Sequence, residues 1–337
     1  MHTNQQMIMY KVAKLYYLDN YSQTQISEKL SLSRSKVSRI LAQARNLGIV
    51  EFKVIKPSPS VFDLDDLAYK LKSKFKIEHL LIVPTDDDVK KTRKKTVQTA
   101  ASYFANFLRD GDSVGVSWGS TLLLIAEHFS SLNLPKSKLL QVSGNLDNAD
   151  SGSYAHEIIH QYSQKLGTKN IYTLTCPAIV ENSIIVDLLL HDARINNIMD
   201  MVNKVDVIFP DIGILDDSNC LIQSGYLSSQ DFDEMINMGS VGNICCHFID
   251  QYGQLINLEV ESRTISISLD SIKNARHSCV CVYNAKKASA LLGCMNAQLV
   301  NVLVIDSQSA FALLELKEAQ EHNLSIQNKH LKLNIPD

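Results

Sequence analysis

The segment at residues 22–45, SQTQISEKLSLSRSKVSRILAQAR, constrains the fold more than any other stretch of the chain. Ser22 and Gln25 have the spacing of a capping box, which predicts that a helix begins at this point. The run Ser31-Leu32-Ser33 then interrupts the apolar pattern, and Ser33 stands where it can cap a second helix. The segment therefore predicts two short helices joined by a three-residue turn.

The predicted second helix has one apolar and one polar face. Its apolar residues recur at helical spacing and predict a buried stripe: Val37, Ile40, Leu41 and Ala44. Arg34 and Arg39 lie off this stripe, and a basic tip beside a three-residue turn is typical of a helix-turn-helix. Guanidinium groups match guanine edges and phosphates, and hydroxyl groups contact either. We therefore expect DNA contacts from eight residues: Gln23, Thr24, Ser33, Arg34, Ser35, Lys36, Ser38 and Arg39. A solvated face on an ordinary helical hairpin is the alternative.

The flanking residues and the charge distribution extend this interpretation. The pattern at 7–18, with Ile8, Val12, Leu15 and a Tyr pair, predicts a third helix, and the alternating run at 49–55 predicts the strand of a wing. Residues 1–56 carry nine Lys or Arg and three Asp or Glu, a net charge of +6. The remaining 24 basic and 33 acidic residues give −9, which the chain total of −3 conceals. A small basic head on an acidic body is typical of a module that binds nucleic acid.

The composition excludes several classes of protein. The length of 337 residues exceeds one typical domain, and the apolar fraction of 45% is ordinary for a globular protein. No apolar run has the length of a membrane span, and the N-terminus lacks a signal-peptide pattern, so we expect a cytoplasmic protein. The seven cysteines lack the spacing of a zinc site. We therefore expect reduced, mostly buried thiols, with no metal and no cofactor.

Two closely spaced prolines at 57–60 predict a linker between a DNA-binding domain at 1–56 and a larger domain at 61–320, followed by a polar tail at 321–337. Helical and strand patterns alternate through the larger domain. Helices are predicted at 61–75, 89–108, 121–130, 154–167, 183–202, 231–238, 286–296 and 308–319. Strands are predicted at 79–84, 113–117, 138–143, 170–174, 205–210, 243–249, 264–268, 278–283 and 300–305. Most of these strands are continuously apolar, which favours a Rossmann-like α/β domain with a mainly parallel sheet.

Four predicted strand ends carry polar, glycine-containing turns, and ligands of open α/β sheets bind beyond such ends. In the first, a strand leads through 117–121 directly into a helix, so free N–H groups, a glycine and hydroxyl groups can cradle an anion. The other turns are 141–145, 211–213 and 240–243. Any one of them can be a simple βα loop, whereas four on one edge indicate a pocket for a polyhydroxylated anion.

These motifs resemble a known family, the SorC/DeoR-type sugar-responsive transcriptional regulators. The resemblance extends from about residue 7 to 316 and is most specific at VGVSWGSTL (114–122), VDVIFPDIG (205–213), SVGNICCHFID (240–250) and NVLVIDSQSAFALL (301–314). It implies an effector domain related to ribose-phosphate isomerase, glucosamine-phosphate isomerase and CoA-transferase domains. It also implies homodimers or homotetramers that bind operator DNA and a sugar phosphate or related sugar.

The resemblance implies ten ligand-binding residues at the motif positions of this chain. They are Ser117, Gly119, Ser120 and Thr121 around a phosphate; Gln141, Ser143 and Gly144 as a second wall; Gly213 as a third; and Asn243 and Lys287. The chain departs from the family pattern at three places. Tyr283 and Asn284 replace glycines, Asn243 replaces an acidic residue, and 210–211 reads Pro-Asp where a small apolar residue and glycine are usual.

Three functional interpretations follow. The leading one is a regulator whose head binds a two-fold-related operator and whose body binds a sugar phosphate. The second is a sugar-phosphate isomerase or aldolase-like enzyme with a fused DNA-binding head, in which Lys287 forms a Schiff base and Asp211, Asp250 or Asp306 serves as acid or base. The third is an oligomer that binds DNA without a ligand. The sequence brings no nucleophile–base pair together, so we expect no catalytic residue.

Overall fold

The computed structural model describes residues 2–19, 21–50, 64–146, 154–256 and 258–333. The chain divides into two compact units, Met1–Phe62 and Asp63–Asp337, and each is described by itself. Within the described residues, no helix combines the length and apolar character needed to cross a lipid bilayer.

The first unit packs three helices around a small apolar core. They are α1 His2–Tyr17, α2 Gln23–Leu30 and α3 Arg34–Asn46. Ser22 forms both halves of the predicted capping box with Gln25, and the Ser33 hydroxyl accepts the Lys36 N–H at 3.3 Å. The turn between α2 and α3 is therefore held by side-chain caps at both helix starts.

The stripe predicted on α3 is buried, together with Ile26 of α2. On α1 the predicted Val12 and Leu15 are buried, together with Met9 and Ala13, whereas the predicted Ile8 is 41% exposed. The segment at 49–50 forms a bend, and residues 51–55 of the predicted wing lie outside the described residues.

The second unit is built on a seven-stranded sheet in which every neighbouring pair is parallel. The strand order is β1-β10-β9-β5-β2-β3-β4. The strands are β1 His79–Val83, β2 Ser113–Val116, β3 Lys138–Gln141, β4 Asn170–Tyr172, β5 Val207–Phe209, β9 His277–Val282 and β10 Val302–Asp306. A small antiparallel sheet of β6 Ile212–Gly213, β7 Ser240–Ile244 and β8 His247–Asp250 follows the end of β5. The prediction of an α/β domain with a mainly parallel sheet is confirmed.

Helices cover both faces of the large sheet. The helices of this unit are α4 Leu64–Phe75, α5 Val89–Phe104, α6 Ser120–His128, α7 Ala155–Leu166, α8 Ser183–His191, α9 Ala193–Val202, α10 Cys220–Gln223, α11 Ser229–Asn237, α12 Leu258–Ser262, α13 Leu269–Asn274, α14 Ala288–Asn296 and α15 Ser307–Leu333. Along β10, Val302 and Val304 join one apolar cluster while Leu303 and Ile305 join the other. Successive strand residues point to opposite faces, so a continuously apolar strand fills two cores at once.

Two predicted elements are divided in the structure. The helix predicted at 183–202 is two helices, α8 and α9, because the Asp192 carboxylate accepts the N–H groups of Arg194 and Ile195 and starts a new helix. The strand predicted at 243–249 is the β7–β8 hairpin, which turns at Cys245 and Cys246 with φ of +48° and +69°. Nothing in this apolar run predicts the turn, because two successive non-glycine residues with left-handed backbone conformations are rare.

Two further predictions differ from the structure. The predicted strand at 264–268 forms only isolated bridges, from Thr264 to Ile179 and from Ser266 to Ser143. The tail predicted at 321–337 is helical as far as Leu333, because α15 continues through it. The predicted linker at 57–60 lies outside the described residues, so the domain boundaries remain predictions.

Candidate functional site

The first candidate site is the exposed side of the α2–α3 pair. Of the eight predicted DNA-contacting residues, Gln23 is half-buried and the other seven are exposed. Arg34 and Arg39 project from the first half of α3, away from the stripe that packs on α1 and α2. The Ser33 hydroxyl caps α3 by accepting the Lys36 N–H. Any DNA contact by Ser33 would therefore use a hydroxyl group that already has this bond.

The second candidate site is a cavity of about 350 Å³ beyond the carboxyl ends of β2, β5 and β9. Its volume lies in the range of small-molecule sites. The turn at 117–121 forms one wall, as the sequence predicts, and leads from β2 into α6. Gly119 starts α6 with φ of +133° and ψ of 154°, and it supplies no capping side chain. The first N–H groups of α6 lack partners within the helix and stand at the cavity wall.

An ion pair crosses the cavity beside this turn. Lys287 Nζ lies 3.7 Å from Asp211 Oδ1, and the two side chains are 19% and 21% exposed. Burial raises the pKa of the Asp211 carboxyl, and the Lys287 ammonium opposes that rise. The Asp211 carboxylate also lies against Gly119, because a Cβ atom built on Gly119 would be 3.0 Å from Asp211 Oδ2. The carboxylate therefore stands at the N-terminus of α6.

Asn243 contributes a buried amide to the cavity wall. It is 7% exposed, and its Nδ2 atom has no hydrogen-bond partner among the described residues. Gly213 is paired with it across β6 and β7, and a Cβ atom on Gly213 would lie 2.8 Å from the Asn243 amide. Glycine is needed at 213 for this close approach. A buried donor without an acceptor is costly, so this amide marks a place where a ligand oxygen would be stabilised.

Hydroxyl groups close another side of the cavity. Thr121 Oγ1 and the Tyr283 hydroxyl are 3.2 Å apart, and the Arg93 guanidinium lies 5.9 Å from the centre of the Tyr283 ring. Tyr283 and Asn284 follow β9 and line the cavity, as does Lys287 at the start of α14. Tyr283 and Asn284, which stand where the family pattern has glycines, are therefore part of the cavity wall.

The structure does not bring the predicted second wall to the cavity. Gln141 donates to the Ser143 carbonyl and to Asn145 Oδ1, and the Ser143 and Ser266 hydroxyls are 2.7 Å apart. The Gly144 carbonyl accepts the Trp118 indole N–H at 3.0 Å. Gln141, Ser143 and Gly144 therefore do not line this cavity, and their polar groups are buried in contacts within the protein. The other seven predicted residues, Ser117, Gly119, Ser120, Thr121, Gly213, Asn243 and Lys287, all line the cavity.

Other lining residues among those described carry no sequence prediction of ligand contact, and they include Tyr154, Ser218, Asn219 and Gln223. Asn219 caps α10 and donates to the Ile214 carbonyl at 2.8 Å, and an Asn directly before a helix is a pattern that the sequence shows. The sequence predicts Asp211 only as part of the polar turn at 211–213 and as a possible acid or base, and this residue lies two residues after the end of β5.

Of the residues suggested for an enzymatic reaction, Lys287 and Asp211 are paired in the cavity, whereas Asp250 and Asp306 lie outside it. Asp306 is buried and accepts bonds from Thr85, Gln308 and Ser309, and Asp250 accepts the N–H groups of Tyr252 and Gln254. Neither lines the cavity. All seven cysteines are free thiols, six of them buried. No group of three or more metal-ligating side chains occurs in the parts of the chain that the structure covers.

Comparison with known proteins places this geometry in a family. The family described as "Putative sugar-binding domain" matches residues 60–315. The deoxyribonucleoside regulator of Bacillus subtilis is 29% identical over 316 residues, 93% of this chain and 99% of its own. The sorbitol operon regulator of Klebsiella pneumoniae is 25% identical over 322 residues, 91% of this chain and 98% of its own. Full-length SorC from Klebsiella pneumoniae has the same fold, with a TM-score of 0.68 and 23% identity over 91% of this chain and 98% of that one. A transcriptional regulator from Streptococcus pneumoniae gives a TM-score of 0.69 at 27% identity, covering 76% of this chain and all of that one. The chain belongs to the sugar-binding-domain family of SorC/DeoR-type transcriptional regulators.

Proposed function

We propose that this protein is a cytoplasmic transcriptional regulator, and that a sugar or sugar phosphate bound in the cavity controls its binding to operator DNA. The observation that carries the proposal is the buried, unpartnered Asn243 amide in a cavity beside the start of α6. Buried amides of this kind are normally satisfied, so the cavity is suited to a ligand that supplies an acceptor. The names of the relatives support a small, polyhydroxylated effector.

The proposal also covers the head, the fold type and assembly of the body, and the absence of catalysis. The head binds double-stranded DNA through the exposed residues at the start of α3. The body belongs to the sugar-phosphate isomerase and CoA-transferase type of sheet and forms homodimers or homotetramers. The protein is not an enzyme, a view that the regulators named among its relatives support.

The proposal is tested with the full-length protein and an operator fragment from upstream of its own gene. A panel of sugars, alditols and their phosphates is screened first by thermal shift and then for release or strengthening of operator binding. Thr121→Val removes a hydroxyl from the cavity wall and is expected to abolish the response to the effector while leaving basal operator binding intact. Thr99→Val makes the same change outside the cavity and serves as the matched control.

Three results would contradict the proposal. A panel member that stabilises the protein without altering operator binding would leave the cavity without a regulatory role. An unchanged response in Thr121→Val would place the effector elsewhere. Catalytic turnover of a bound panel member would favour the enzyme interpretation.

A further inference from the structure

The N-terminus of α6 already has an anion beside it, supplied by the protein. Asp211 lies between Gly119, against which its carboxylate packs, and Lys287, whose ammonium is 3.7 Å away. Helix N-termini favour negative charge, and the carboxylate lies beside this helix start, where a ligand phosphate was expected from the sequence. A phosphate in the same place would meet a carboxylate of like charge in a partly buried site, which is unfavourable.

The formal charges of the cavity cancel. Among the described residues that line it, only Asp211 and Lys287 carry a formal charge at neutral pH. Burial raises the pKa of the Cys220 and Cys245 thiols to about 12 each, so both thiols are uncharged. Lys287, the one cation among the described lining residues, is thus already paired with Asp211 and is not free to neutralise a phosphate dianion.

The remaining polar groups match hydroxyl groups. Asp211 offers carboxylate oxygens that accept, Asn243 Nδ2 offers a buried donor, and the Thr121 and Tyr283 hydroxyls can both donate and accept. We propose that the cavity selects an uncharged polyhydroxylated ligand, a sugar or an alditol, and that Asp211 is the residue that excludes a phosphate dianion from the start of α6. This inference rests on the proposed function, because it names the class of effector for the same cavity.

The experiment compares the full-length protein with Asp211→Asn, which keeps the shape of the side chain and removes its charge. Asp200→Asn makes the same change at an exposed position on α9 and is the matched control. The first probe is inorganic phosphate, titrated against sodium chloride of equal ionic strength. Binding is followed by the fluorescence of Trp118, which is the single tryptophan of the chain and lines the cavity. The second probe is a set of pentoses, hexoses and alditols, each paired with its own phosphate.

We expect Asp211→Asn to bind inorganic phosphate at least about tenfold more tightly than the parent protein and Asp200→Asn. In the parent protein, we expect each uncharged sugar or alditol that binds to do so at least about tenfold more tightly than its phosphate. Asp211→Asn should reduce or reverse this preference. The second comparison needs only the parent protein, so it decides the question even where the variant folds poorly.

Equal phosphate affinity in the parent and Asp211→Asn would overturn the inference. So would a phosphorylated ligand that binds the parent protein more tightly than its uncharged counterpart. If that phosphorylated ligand also alters operator binding, the proposed function stands while the assignment of ligand class fails. If Asp211→Asn gains phosphate binding but no panel member changes operator binding, the role of Asp211 stands and the proposed regulation fails.

Discussion

Replacing Gly119 by alanine tests the geometry of the cavity most directly. With φ of +133° and ψ of 154°, Gly119 occupies a backbone region that is open essentially only to glycine, and a side chain there costs about 1–3 kcal/mol. The added Cβ atom would also lie 3.0–3.4 Å from the Asp211 carboxylate, which must shift to make room. We therefore expect Gly119→Ala to lower the free energy of unfolding by about 1–3 kcal/mol and to weaken effector binding.

The assay is urea unfolding of the full-length protein, followed by Trp118 fluorescence. Trp118 is buried beside Gly119, so the signal reports the second unit and not the head. Gly225→Ala is the control, because Gly225 has φ of +77° and nothing within 4 Å of an added Cβ, so it should lose only about 1 kcal/mol from backbone strain. A double-mutant cycle with Asp211→Ala isolates the crowding between the added Cβ atom and the carboxylate. In the Asp211→Ala background, Gly119→Ala should lower the free energy of unfolding by less than it does in the parent.

A loss below about 0.5 kcal/mol in Gly119→Ala would refute the strained start of α6, because substitutions away from strained or buried sites usually fall within that range. An absence of coupling in the cycle would refute the contact between Gly119 and Asp211. In that case the carboxylate would not stand at the start of α6, and its proposed exclusion of phosphate would lose its structural basis.

Three further predictions concern the head, the assembly and the pH dependence of stability. Arg34→Ala or Arg39→Ala should weaken operator binding by about 1–3 kcal/mol in gel shifts and relax base preference. Arg45→Ala in the last turn of α3 should change affinity without changing base preference. Unaltered binding in both of the first two variants would contradict the proposed base contacts from the start of α3. Light scattering of the full-length protein at micromolar concentration should give at least a dimer, because two heads on one duplex bind far more tightly than one, and a monomer that does not pair on DNA would rule this out. Burial lowers the pKa of the His277 imidazole from 6.5, and nearby Arg276 adds to that effect. The stability that the neutral ring provides is therefore complete above pH 6.5 and is lost as the pH falls through 6.5 towards the lowered value. The urea midpoint of the parent should drop more between pH 7.5 and 5.5 than that of His277→Gln, and equal drops would show that another group is responsible.

Local sequence patterns were sufficient for much of the fold. The caps at Ser22 and Ser33 and the buried stripe of α3 depend on residues within a few positions of each other, so spacing alone predicts them. The apolar strands of the large sheet were equally predictable, because strands covered on both faces need apolar side chains at every position. The wing remains a prediction.

Features that depend on distant residues were not predictable in the same way. The β7–β8 hairpin turns inside an apolar run, and the Cys245 N–H donates to the Asp211 carbonyl at 3.2 Å, a contact supplied by another part of the chain. Gln141 and Ser143 have the residue types of a ligand wall and the position of a strand end. Their polar groups are nevertheless bonded to neighbouring protein groups, such as Ser266, that no spacing rule places beside them.

The feature of the cavity with the greatest bearing on function is the negative charge of Asp211 beside the start of α6. The turn at 117–121 has every local property of an anion cradle, but a helix N-terminus is satisfied as well by an internal carboxylate as by a bound phosphate. Which of the two occupies it depends on residue 211, which the fold brings to Gly119 from the end of a different strand. The family resemblance implies glycine at that position, whereas this chain has Asp211 there. The side chain at position 211 is therefore expected to decide whether the start of α6 in this protein can accept a phosphate.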